Sequence, residues 1–314
     1  MAYAGDGMKL ALSLGVAAIT ANPVPALEIQ SGSGYAGSVY SYAPGGQWTA
    51  DGAAIAGATG TNWTMTAAHE GAAIRCGDSN VIQMWTPVNG LTAGQKANGG
   101  LWLASAATVA SGRVVSIADG FGQRSMDQSV AAKQPIVATV GTVPAMQFDQ
   151  ALGDFDLRPS EAFSPVWVVM LLQYGDGVQT SGSAQYSQII SNGIASSGGR
   201  VSVQPGASGF QPSTAVSACR VNGKDDLANF PLPMPMGSVS FDLAGSSVIW
   251  SLGRGLNGFT DRSWFGYIAA ALMLGEVPSD TLRWTIEGYV HWRHGLETLL
   301  HPNHPYRNTA PRLQ

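Results

Sequence analysis

The sequence predicts an all-β protein with two β-sandwich domains and a single helix in the C-terminal part of the second. Glycine occurs 40 times in 314 residues, and charged residues make up only 11%, less than half of the usual share. Short apolar runs alternate with glycine-rich turns, a pattern typical of many short strands joined by tight connections. Hydrophobic residues make up 45%, so both domains can bury a core.

Composition also narrows the function. The net charge is −4 without any basic stripe, so we expect no nucleic-acid binding. The two cysteines, Cys76 and Cys219, are too few for a disulfide framework and are predicted to be buried apolar thiols. A surface with so few charges is common in proteins of large assemblies.

Residues 1–23 are predicted to form an N-terminal structural arm. Their apolar run, residues 10–20, has the length of a signal-peptide core. It is too short to cross a membrane as a helix. It begins late, behind an acidic, glycine-containing leader, which favours the arm over a signal peptide, the alternative.

Residues 24–90 are predicted to form a small antiparallel β domain, because short apolar runs are separated by turn residues. A strand that carries Trp48 runs into a turn at Asp51-Gly52, and a later strand ends at Cys76. These motifs resemble bacterial and phage immunoglobulin-like modules, with Trp48 at the core tryptophan position and Cys76 at the later strand cysteine. The earlier cysteine of that family is absent, so the resemblance implies a sandwich held by packing alone.

Residues 91–98 are predicted to be a linker, because the surrounding stretch is rich in glycine and asparagine. Residues 99–314 form the larger predicted domain. Its continuous apolar run, residues 166–172, indicates a strand buried on both faces.

The predicted helix begins after Pro278, where Ser279 or Asp280 can cap it. It ends before Gly295, which suits a left-handed C-terminal cap. One apolar stripe at helical spacing gives it a buried face; the stripe consists of Leu282, Ile286, Tyr289 and Val290.

Several segments of the larger domain follow one another in an order typical of a known family; they are 100–103, 119–135, 146–149, 264–272 and 286–296 with 304–306. They resemble the laminin-G-like branch of the concanavalin A-like lectin and glucanase superfamily. The last of these is the most specific, being similar to I-E-G-Y-L-A-H-K-W-G-L followed by H-P-Y. The resemblance implies a jelly-roll β-sandwich. Ala104 and Ala270 replace the usual Asp and Glu, and the helix ends in His294 instead of Trp, with Trp292 two positions earlier.

We expect no enzymatic activity. The glucanases of that superfamily use two carboxylates on one strand, and the nearest acidic pair here is Asp154 and Asp156 in a loop-like context. We interpret this pair as a solvated turn.

We also expect no metal site and no cofactor. Four histidines have a spacing that zinc could use, but helix packing and capping are the favoured roles; they are His291, His294, His301 and His304. A calcium site is the alternative, since Asp225 and Asp226 offer oxygen ligands in a turn. A polar hairpin tip is the favoured interpretation of this pair, because a single acidic pair is weak evidence for a metal.

The candidate carbohydrate site lies between two tryptophans, because sugar sites combine aromatic faces with polar side chains. The loop joins two core strands and could line the rim of the sandwich, although buried tryptophans with a merely polar loop are the competing interpretation. The candidate residues are Trp250, Arg254, Asn257, Asp261 and Trp264.

The combination of an arm, an immunoglobulin-like module and a laminin-G-like sandwich resembles surface proteins of phages and phage-like particles. The resemblance implies a non-enzymatic virion protein of a phage or gene-transfer particle, such as a tail fibre, head spike or decoration protein. We expect it on the extracellular surface of the particle, where its arm binds other virion proteins. Its larger domain is expected to act like a lectin and to recognise host surface carbohydrate for attachment. A homo-oligomer without a membrane span is expected. The alternatives are a purely structural cementing protein of a capsid or tail, and a secreted bacterial lectin or adhesin.

Overall fold

The structure is a computed structural model in which the described residues form an all-β fold, as predicted. They comprise 25–148, 155–175, 188–191, 200–203, 210–211, 216–225, 234–243, 249, 251–254 and 264–313. The predicted arm, residues 1–23, lies outside them. Within these ranges, none of the helices has the length and apolar character that a bilayer crossing demands.

The N-terminal unit consists of two small antiparallel sheets. Its strands are β1 (Glu28–Ser31), β2 (Val39–Ser41), β3 (Gln47–Ala50), β4 (Ala53–Thr59), β5 (Asn62–Thr64), β6 (Ala73–Cys76) and β7 (Ile82–Gln83). One sheet has the order β1-β2-β5, and the other has the order β4-β3-β6-β7.

The predicted core of this unit is confirmed. Trp48 is fully buried opposite Cys76 on the neighbouring strand, and its ring centroid lies 5.9 Å from that of Trp63. The predicted turn at Asp51 and Gly52 is present, with φ angles of 50° and 81°, the left-handed pair that a two-residue hairpin needs. The C-terminal end of β3 is therefore predictable from local sequence.

Two short helices lie at the connection between the units: α1 (Pro87–Gly90), just before the predicted linker at residues 91–98, and α2 (Ala93–Lys96), inside it. Thr86 and Thr92 cap them through complete capping boxes, which satisfy backbone donors that the first helical turn leaves free. Leu91 is buried, and the Gly275 amide donates to the Gln95 carbonyl oxygen over 3.2 Å. The connection is therefore ordered and packed against the larger unit.

The larger unit is built on a sheet of twelve described strands. The strands of this unit are β8 (Gly100–Leu103), β9 (Ala107–Ala110), β10 (Arg113–Ile117), β11 (Met126–Asp127), β12 (Ile136–Val140), β13 (Val143–Phe148), β14 (Arg158–Pro159), β15 (Trp167–Tyr174), β16 (Gln188–Ser191), β17 (Arg200–Val203), β18 (Phe210–Gln211), β19 (Val216–Val221), β20 (Lys224–Asp225), β21 (Gly237–Leu243), β22 (Ser251–Leu252) and β23 (Gly266–Leu274), followed by the helix α3 (Asp280–Arg293). Short 3₁₀ turns lie at Ala67–His69, Ala104–Ala106, Ala131–Lys133 and Glu297–Leu299.

The main sheet is antiparallel, with the order β14-β11-β10-β12-β13-β23-β15-β21-β19-β20. β8 also pairs with β23, beyond the segment of β23 that β13 occupies, and β9 pairs with β10. A second sheet has the order β18-β17-β16-β22.

The central strand β15 is buried on both faces, as its continuous apolar run predicted. Val168 and Met170 face one core, together with Ile189 and Leu252 of the second sheet. The intervening Val169 faces the other core. The main sheet is therefore the middle layer, with the second sheet on one side and α3 on the other.

The second core joins the two units. The Tyr289 ring of α3 packs edge-on against Tyr35 at 5.5 Å and Trp85 at 5.8 Å between centroids. The segment after α3 then returns to β7, where the Leu313 amide donates to the Gln83 carbonyl oxygen over 3.0 Å. The units predicted as separate domains therefore share apolar packing and a backbone hydrogen bond.

The two cysteines are buried thiols, as predicted. Burial raises the pKa of the Cys76 thiol above its usual value. Cys219 lies in the first core, on β19.

The predicted caps of α3 are confirmed. The Ser279 hydroxyl accepts a hydrogen bond from the Leu282 amide over 3.4 Å, and Gly295 adopts a φ of 69° just past the helix end. A left-handed residue there is the common way to end a helix.

Replacing Ser279 with alanine is expected to lower the free energy of unfolding by about 1 kcal/mol, the usual cost of losing an N-cap acceptor. Ser279 is exposed, so lost packing adds little. Urea denaturation followed by circular dichroism measures the change. Ser105→Ala, at an exposed serine away from the caps of α3, is the control, and equal effects of the two variants would contradict the capping role.

Candidate functional site

The described part of the predicted carbohydrate loop lies inside the protein. Trp264 is fully buried, and its ring packs against Tyr174 with centroids 5.2 Å apart. Arg254 is 5% exposed, and its Nη1 lies 3.5 Å from Asp156 Oδ2. The other three candidates, Trp250, Asn257 and Asp261, lie outside the described residues. A sugar site at this loop therefore stays a prediction.

The interpretation of Asp156 as part of a solvated turn is wrong. Its side chain is fully buried, and Oδ2 accepts from Arg158 Nε over 2.9 Å. With Arg254 nearby, two guanidinium groups compensate the buried charge, as a carboxylate in a core requires. Asp154 lies outside the described residues.

The histidine at the end of α3's buried face, His291, contributes to packing and hydrogen bonding. His291 is fully buried; its Nδ1 donates to the Glu287 carbonyl oxygen over 2.9 Å, and its Nε2 lies 3.2 Å from Asn222 Oδ1. Burial lowers its pKa to about 4. The described residues contain no group of three or more His, Cys, Asp or Glu side chains placed to hold a metal.

The residues of the calcium alternative are only partly described. Asp225 is exposed, and its Oδ1 lies 2.8 Å from Arg220 Nε. Asp226 lies outside the described residues.

A buried acid that the sequence analysis did not single out lies in the middle of α3. Glu287 is fully buried, and its Oε1 accepts from the Ser240 hydroxyl over 2.9 Å. Its Oε2 lies 3.6 Å from both Arg220 Nη1 and His304 Nε2. Its position beside Ile286 and four residues before His291 places it on the buried face. This cluster attaches α3 to strands β19 and β21.

A groove opens where the two units meet, and we call it the junction groove. It has a volume of about 590 Å³ and is lined by residues from the segments 32–38, 142–144 and 292–297. The first segment joins β1 to β2, the second is the turn between β12 and β13, and the third is the end of α3. The groove therefore depends on the docking of the two units.

Glu70 connects two walls of the junction groove. Its Oε1 accepts from the Ala36 amide over 3.0 Å, and its Oε2 accepts from Arg293 Nε over 3.1 Å. The segment 32–38 also depends on a glycine at position 32. The φ angle of Gly32 is 87°, and an added Cβ would lie 2.6 Å from the Ser38 hydroxyl oxygen. Together these contacts fix the shape of the groove.

The end of α3 supplies the polar and aromatic groups of the junction groove. Trp292 lines it and donates from Nε1 to the Tyr306 carbonyl oxygen over 2.6 Å. His294 Nδ1 lies 2.8 Å from the Val290 carbonyl oxygen, so Nδ1 carries the proton and Nε2 is an acceptor. Burial lowers the pKa of His294 to about 4. Glu297 completes this wall and forms no ion pair with a described residue.

Comparison with known proteins gives no relative: no family model, no curated protein and no solved structure matches the chain. Sequence did hold one signal for the junction groove, since Trp292 and His294 are the positions at which the helix departs from the motif it resembles.

Proposed function

We propose that this chain is a non-enzymatic surface protein of a phage or phage-like particle that recognises host surface carbohydrate. The proposal includes an immunoglobulin-like β-sandwich followed by a concanavalin A-like jelly roll. The all-β fold and the sequence motifs that resemble such modules support it. In a fibre, spike or decoration protein, residues 1–23 would attach the chain to other virion proteins, and copies would assemble symmetrically.

The observation that carries the carbohydrate proposal is the junction groove. Its volume of about 590 Å³ suits a small ligand, since such sites commonly measure ~300–1,000 Å³. Trp292 offers an apolar ring, while His294 and Glu297 offer hydrogen-bond acceptors at the same wall. Among its described lining residues Glu297 is the single carboxylate, whereas glycoside hydrolysis uses a pair. This arrangement favours binding over cleavage.

A purely structural cementing protein is the second candidate. Burial of Trp264 and Arg254 favours it, because these two predicted sugar contacts do not face solvent. The shared core of the two units also suits a rigid building block.

Blocking the junction groove is expected to abolish carbohydrate binding. Thr142 is exposed at the groove rim, so Thr142→Trp fills the space without disturbing the core. On an array of host surface polysaccharides, we expect at least tenfold weaker binding than for the unaltered chain, which corresponds to about 1.4 kcal/mol.

Thr108→Trp, at an exposed threonine of β9 outside the groove, is the matched control and should bind normally. Absence of polysaccharide binding by the unaltered chain would contradict the carbohydrate proposal and leave the structural candidate. Absence of the chain from proteomes of purified particles would contradict the virion proposal.

A further inference from the structure

We infer that the junction groove selects uncharged, hydroxyl-rich sugars and rejects sugars that carry a carboxylate or phosphate. This inference rests on the proposed function and narrows it to one class of glycan. It follows from the charges and from the direction of the hydrogen bonds that the groove offers.

The charge balance of the groove is negative. Arg293 is the single cation among the described lining residues, and Glu70 compensates it across 3.1 Å. Glu297 has no such partner in the described part of the chain. An anionic sugar would therefore be repelled by the uncompensated carboxylate of Glu297. Arg293, which could attract such a sugar, is already paired with Glu70.

The direction of the hydrogen bonds leads to the same conclusion. His294 points Nδ1–H at the Val290 carbonyl oxygen, which leaves Nε2 as a lone-pair acceptor. An ionised Glu297 accepts hydrogen bonds and donates none. Both groups therefore need donors on the ligand. Sugar hydroxyls are donors, whereas ionised carboxylates and phosphates only accept.

The Trp292 side chain in the groove wall suits a ring-shaped ligand. Trp292 lies in the wall next to His294, and its Nε1–H is already bonded to the Tyr306 carbonyl oxygen. The indole therefore contributes an apolar surface more than a donor. The C–H face of a sugar ring packs on such a surface.

Paired polysaccharides that differ only at C6 test this inference on the full chain. The probes are galactan and glucan, and their oxidised counterparts galacturonan and glucuronan. We expect the bound neutral polymer to exceed its oxidised counterpart at least tenfold in affinity. Glu297→Gln removes the charge at constant shape and should reduce this ratio to about threefold or less, because the oxidised polymer no longer meets a carboxylate there.

Glu161→Gln, at an exposed glutamate outside the groove, is the matched control and should keep the full ratio. Thr142→Trp should abolish binding of either polymer. If the oxidised polymers bind as well as the neutral ones and Thr142→Trp abolishes both, the inference is overturned while the proposed function stands. If none of the host polysaccharides or the four probes binds, the proposed function fails, and the inference fails with it.

Discussion

Replacing Glu287 with alanine is expected to lower the free energy of unfolding by about 3–5 kcal/mol, the typical cost of removing one partner from a buried ion pair. The carboxylate accepts from the Ser240 hydroxyl and lies 3.6 Å from Arg220 Nη1. Without it, Arg220, a residue that is 8% exposed, keeps only the solvent-exposed Asp225 as an ionic partner among the described residues. A buried positive charge is then poorly compensated.

Urea denaturation at neutral pH measures this change. Glu297→Ala makes the same substitution at a partly exposed glutamate without an ion pair in the described residues, and should change stability by about 0.5 kcal/mol or less. Glu287→Leu combined with Arg220→Met should recover much of the loss, because apolar replacements of a buried pair are often neutral. Equal losses in the two alanine variants would show that the buried charge does not matter.

Lowering the pH from neutral to about 4 is expected to remove about 3 kcal/mol of stability through His291 alone. Burial lowers its pKa in the folded chain from 6.5 to about 4. Between these two pKa values, His291 is mostly protonated in the unfolded chain and mostly neutral in the folded chain. The contribution is therefore complete above pH 6.5 and is lost progressively as the pH falls towards 4.

The groups around His291 set this behaviour. His304 and His294 lower its pKa further, the Glu287 carbonyl oxygen raises it through its hydrogen bond, and Asn222 faces its other nitrogen. Unfolding free energies at several pH values between 7.5 and 4 should show a flatter profile for His291→Gln than for the unaltered chain. His301→Gln, at a partly exposed histidine, should keep the original profile. A His291→Gln profile as steep as the original would contradict this role.

The elements predicted correctly are those that local sequence determines. The β15 run reads as a buried strand because both of its faces are apolar, and the Ser279 and Gly295 caps act within one helical turn. The Asp51-Gly52 turn is equally local, since two consecutive left-handed residues define it. Each feature required only its immediate neighbours.

The site was less accessible to prediction, because its parts are brought together by tertiary packing. The walls of the junction groove come from three segments that are far apart in sequence. Glu287 contacts Ser240 and Arg220 on neighbouring strands, and the spacing of residues along the helix does not predict these contacts. Trp264 looked equally suited to a rim or a core, and only the packing against Tyr174 decides its burial.

The hydrogen bond between Leu313 and Gln83 has a consequence for biosynthesis. While the chain emerges from the ribosome, β7 is an open sheet edge, because residues 311–313 are still to be translated. An open edge can pair with another nascent chain and so promote aggregation. Contacts between residues so distant in sequence also slow folding. We therefore expect the N-terminal unit to reach its final stability only after translation, and chaperones that shield strand edges to raise the yield of native protein.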